Sequence, residues 1–220
     1  MTSSSTRPRR SRFPRVAAAL TAVVLTGTLA LAGCGGESEK PAASPSPSPT
    51  PPPTVKSTAK LVHLQGRFPR NRHQAVATNV GKVVDRWLQA AYVAGDYPRA
   101  TSTYRDIFPG FSPVAVAQAS KQRTQMSNAT LAPHIDGVEV VASKVNVDLL
   151  AKDNHPVGAV ARVRFVYETT GDRESRQTVY GTLDMLPTKT SWAVFGFDIS
   201  REEKLAASPS ASPSPSGDKS

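Results

Sequence analysis

The placement of proline limits how much of this 220-residue chain can fold. Ten of its 19 prolines fall in two short tracts, residues 41–53 and 209–215, where serine is their main companion. Such segments have too little apolar surface to bury and favour extended polyproline II over a packed structure. Segment 34–58 therefore reads as a disordered Pro/Ser-rich stalk, and 206–220 as a disordered Ser/Pro tail. The stretch between them, 59–205, has its own hydrophobic periodicity and is long enough for one core.

The first fifteen residues carry Arg7, Arg9, Arg10, Arg12 and Arg15 and no acid, and residues 16–32 are almost wholly apolar. A basic segment followed by an apolar run is the layout of a secretory signal. The run ends in Leu31-Ala32-Gly33-Cys34, and Cys34 is the only cysteine of the chain. This tetrapeptide resembles the lipobox of bacterial lipoprotein precursors. The resemblance implies a signal peptide over 1–33 recognised through Leu31, Ala32 and Gly33. It also implies cleavage before Cys34 and attachment of fatty chains to its sulfur. The alternative is an uncleaved apolar anchor, just long enough to span. Either way the rest of the chain lies outside the cytoplasmic membrane. Arg9-Arg10 is a pair, but Arg12 stands where a twin-arginine signal carries an apolar residue, which leaves the export route open.

The charge balance narrows the partners. The formal net charge is +10, and without the leader it is 22 cations against 17 acids. A dedicated nucleic-acid binder would keep its excess on the folded part, so no nucleic-acid partner is expected. Residues 56–86 do hold seven cations against one acid, Asp85, which gives a basic patch beside the stalk. Anionic lipid headgroups or wall polymers are its candidate contacts. A single cysteine excludes an internal disulfide and a cysteine-cluster metal site.

Spacings of three and four link Val76, Val80, Val83, Val84, Trp87 and Ala91, which predicts a helix over 74–94 closed by Gly95. Asp96-Tyr97-Pro98 predicts a short second helix to Tyr104, and Ser112-Pro113 a third through Met126. Beyond Pro133 the period changes to two. Val138 and Val140 alternate, as do Val145, Val147 and Leu149, with a phase slip near Ala142 that predicts a bulge. Further alternating runs follow at 159–168, 177–185 and 192–200, separated by turns at Asp153–Pro156, Gly171-Asp172 and Pro187–Thr190. The expected fold is α+β, with N-terminal helices packed on a curved four-stranded antiparallel sheet. In element order, in the Gly95-Asp96-Tyr97 break and in the final Trp192-Ala193-Val194 strand, residues 72–202 resemble nuclear-transport-factor-2-like (NTF2-like) cone domains. The likeness is strongest to those of actinobacterial lipoproteins and Mce-associated proteins. A cystatin-like arrangement has similar elements.

No nucleophile elbow, phosphate loop or zinc-protease helix occurs. His63, His73, His134 and His155 show no ligand spacing, so no metal, cofactor or catalytic residue is assigned. The resemblance implies a space between helices and sheet, and Trp87, Tyr92, Phe165, Tyr167, Tyr180 and Trp192 are its candidate pocket or core residues. The strand acids that could serve a cone-type general base are Asp148, Glu168, Asp184 and Asp198. Alternation places Asp184 opposite Leu183 and Met185, and Asp198 opposite Phe195, Phe197 and Ile199. Asn128-Ala129-Thr130 spells a glycosylation acceptor. Together these readings give a lipid-anchored, non-catalytic binding domain on the outer face of the cell membrane. Its partner would be an envelope protein, a small ligand or a second copy of the chain; the alternatives are a cone-fold enzyme using a pocket carboxylate, or an apolar-ligand carrier.

Overall fold

The computed structural model describes residues 53–206. Strand β1 (Thr58–Gln65) comes first, followed by helix α1 (His73–Leu88), α2 (Pro113–Lys121) and α3 (Arg123–Met126). Four long strands complete the fold: β2 (Gly137–Lys152), β3 (His155–Thr170), β4 (Ser175–Pro187) and β5 (Trp192–Leu205). They form one five-stranded sheet in the order β1-β2-β3-β4-β5. The last four are antiparallel, as the alternation predicts, and β1 runs parallel to β2. The fold is thus α+β on a five-stranded mixed sheet, not a four-stranded antiparallel one. The missed strand has a short pattern, Ala59 and Leu61 inward, which the extra residue Val62 breaks before it can repeat.

Packing also starts earlier than residue 59. Val55 is buried, and its N–H donates to Gln89 Oε1 at 2.8 Å. Ser57 joins the start of β1 to both neighbours, through Asp85 of α1 and Ser143 of β2. Segment 53–59 and β1 lie along the flank of α1, so closely that a Cβ on Gly81 would come within 2.8 Å of the Ala59 methyl.

Helix α1 buries Val76, Val80, Val83, Val84 and Trp87 of the predicted stripe, and Leu88 beside them. Its end widens into a π turn, Gln89–Val93, which buries Ala91, Tyr92 and Val93. A helix end leaves carbonyls without internal partners. Here Asn128 N–H donates to Ala91 O (2.8 Å), and Asn128 Nδ2 and the Tyr97 hydroxyl both donate to Tyr92 O (3.1 Å each). The Tyr167 hydroxyl then donates to Asn128 Oδ1 at 2.8 Å. Asn128 is fully buried with both ends of its amide engaged, so it is no glycosylation acceptor.

The second expected helix is absent. Residues 96–104 form bends and one 3-10 turn, Thr101–Thr103, after a cis Tyr97–Pro98 bond. Helical donors there are committed elsewhere. Pro98 has no N–H, and Arg99 gives its own to Ala132 O, with its guanidinium on Ala94 O and Thr103. The third helix starts as predicted, with Ser112 Oγ accepting from Ala115 N and Pro113 in the first turn. It breaks at Gln122 into α2 and α3.

Asp153 and Asn154, both at positive φ, join β2 to β3 in a two-residue turn of the kind that matches strand twist. The β2 bulge lies between Val140 and Ala142, at the predicted phase slip. The helices pack on one sheet face, where Val145, Val147, Ala161, Phe165, Val179, Leu183 and Val194 meet α1 in a continuous core. Each large apolar side chain withdrawn there from water contributes about 1.5–3 kcal/mol.

Candidate functional site

The space that a pocket would occupy between helices and sheet holds aromatic rings. Trp87, Tyr92, Phe165 and Tyr167 are fully buried and Trp192 nearly so. Tyr92 meets Trp87 edge-on, with centroids 5.8 Å apart, and packs on Phe165 and Tyr167 at 6.0 and 5.8 Å. Burial pushes the Tyr92 and Tyr167 hydroxyls far above the ordinary phenol value, so both stay protonated donors. Tyr180 does not join them. It lies on the opposite sheet face, 38% exposed, and donates to Glu202 Oε1 at 2.7 Å. The alternation of its own strand, with Val179 and Leu183 inward, puts it there.

The four strand acids lie on that same outward face. Glu168 pairs with Arg176, and Asp148 accepts from Arg162 Nε and Nη2 at 2.8 and 2.7 Å through one oxygen. No described side chain partners the other oxygen, Asp148 Oδ1, though it is buried. Residues Asp148, Val160, Asp184 and Gly196 form one row across β2, β3, β4 and β5. At this row the outward face sinks into a groove of about 470 Å³. Leu150, Val157, Leu186 and Phe195 line it, each between 39% and 47% exposed, with Asp148 and Asp184 on its floor row.

Bulges build this groove. Register shifts leave one extra residue at Val62 in β1, Val157 in β3 and Phe195 in β5, all near one end of the sheet. An extra residue bends its strand and reverses which face the next side chain takes. Each of these three is apolar and exposed, at 49%, 39% and 47%. Phe195 is thus a correction to the alternation, which puts it inward with Phe197 and Ile199. A wider recess at the other end of the sheet, about 600 Å³, is lined mainly by charged and polar residues, Glu139, Glu168, Glu174, Arg176 and Lys204 among them, with Leu205 as its large apolar member.

Cys34 and the residues before it, Leu31, Ala32 and Gly33, lie outside the described residues. Among the described residues, no three His, Cys, Asp or Glu side chains converge as a metal site would require, and no helix is long and apolar enough to cross a membrane. Compared with protein-family models, with curated proteins and with solved structures, the chain matches none of them.

Proposed function

We propose that this chain is a lipoprotein moored through Cys34 to the outer face of the cytoplasmic membrane, with a folded region that binds a protein partner and catalyses nothing. The fold is read as a variant of the NTF2-like cone. What supports that is helix α1 lying across the inner face of an antiparallel meander, with α2 and α3 against β5. The variant adds β1 at one edge and fills the cone with Trp87, Tyr92, Phe165 and Tyr167.

The single observation that carries the binding reading is the bulge-bounded groove. Apolar side chains exposed side by side on a soluble face mark a contact surface. The two carboxylates among them suit a partner that presents an aliphatic or aromatic residue beside a Lys or Arg. A cone enzyme would need its acid among apolar groups inside, whereas Asp148, Glu168, Asp184 and Asp198 face outward here.

The test has two arms in intact cells. A clickable fatty-acid probe should label the wild-type chain and fail to label Cys34→Ala. A photo-cross-linking phenylalanine analogue at position 195 should yield one discrete adduct, and the same analogue at Thr188, in the turn between β4 and β5, should not. An adduct of twice the chain mass identifies a second copy as the partner. Absence of label overturns the anchor, and absence of any adduct from position 195 overturns the groove.

A further inference from the structure

We propose that the seam between segment Pro53–Ala59 and helix α1 is a docking face for anionic lipid headgroups of the bilayer. This rests on the anchored reading above. The whole charge excess of the described region lies in the span 56–86, which contains most of the seam. Residues 56–86 hold seven cations and one acid, whereas the remainder of 53–206 holds thirteen of each. All seven (Lys56, Lys60, Arg67, Arg70, Arg72, Lys82 and Arg86) are exposed, and none has an ion-pair partner among the described residues.

Lys56 and Lys82 flank one cleft of about 410 Å³, with Thr58, Gln74 and Thr78 supplying neutral donors beside them. The single acid, Asp85, lines the same cleft but is engaged by its neighbour. Asp85 accepts from both the N–H and the hydroxyl of Ser57, and its burial holds its pKa above the usual carboxylate value. Beyond the cleft β1 continues as an edge strand, on which the exposed Lys60 is followed by Val62 and Leu64, exposed at 49% and 36%. Cations set beside bare aliphatic side chains suit a bilayer interface, which takes methyl groups among its headgroups, better than a fully hydrated polyanion.

Chain connectivity points the same way. Residues 35–52 separate Cys34 from the seam, a reach of at most ~65 Å. A tether of that length keeps the local headgroup concentration high, so a weak electrostatic contact suffices.

The test uses the chain from residue 34 onward with Cys34→Ser, which keeps the whole folded region and carries no lipid. It is sedimented with vesicles of phosphatidylcholine alone and with an equal share of phosphatidylglycerol. Binding is expected only with phosphatidylglycerol and is expected to weaken as salt is raised. The triple variant K56E/K60E/K82E should bind about a hundred-fold more weakly, at roughly five-fold or more per reversed charge. A control triple, K121E/K152E/K189E, reverses three exposed cations elsewhere and should bind like the parent. Unchanged emission from the two buried tryptophans, Trp87 and Trp192, in both triples confirms that they fold. Equal binding to neutral vesicles, equal loss in both triples, or capture by a phosphate-rich wall polymer without vesicle binding each overturns the proposal. Because the assay needs no lipidation, it fails or succeeds independently of the probe labelling at Cys34.

Discussion

Asn128 is the residue on which the helical half closes. It satisfies two carbonyls at the end of the π turn and accepts the Tyr167 hydroxyl. Replacing Tyr167 by Phe leaves Asn128 Oδ1 buried without a partner, a loss of about 1–3 kcal/mol. Denaturant unfolding should show that drop without a change in slope, and an unaltered midpoint would mean that water reaches Asn128. Alternation was sufficient to read Phe165 and Tyr167 as inward, because both sit in a regular stretch of β3. It could not read Asn128, since a buried amide has no periodicity, or the outward turn of Phe195, since the extra residue changes the phase between Trp192–Val194 and Phe197–Ile199 and carries no sign of its own.

Among the elements, β2 to β5 were legible because their apolar residues keep a period of two over long runs, and α1 because its stripe is uninterrupted. Strand β1 was hidden by a bulge in the middle of eight residues. The segment after Gly95 looked helical from Asp96 and Pro98 alone, yet tertiary acceptors at Ala94 and Ala132 claim its donors. The groove was illegible for a related reason. It needs the register of neighbouring strands, and its Val157 and Phe195 are out of phase with their own. The contact between β4 and β5 supplies a sharp check on the sheet. Gly181 has φ of +142°, and a Cβ there would lie 2.0 Å from Asp198 O. Gly181→Ala should cost more than ~2 kcal/mol through strain and clash. Hydrogen exchange should report it as lost protection on either side of residues 181 and 199, and retained protection there would show that the ladder can shift to make room.

For the molecule as a whole, one sheet face is covered by helices and the other stays open. The open face keeps the groove at one end and charged pairs such as Arg176–Glu168 toward the other. The last backbone hydrogen bond described near the C-terminus runs from Ala206 N to Glu174 O. Truncation after Ala206 should therefore leave the thermal midpoint where it is in the full chain. A lower midpoint would mean that residues 207–220 pack against the fold.

The parallel pairing of β1 with β2 also governs how the chain can be delivered. Ser57 finds its partner Ser143 across 86 positions of sequence, and closures this distant form slowly. Under the proposed export, a polypeptide threaded outward from its amino end presents the first strand long before its template has crossed. Until then Ala59 and Leu61, which pack against the core once folded, stand uncovered, and on that route a holding factor at the translocation exit would shield them.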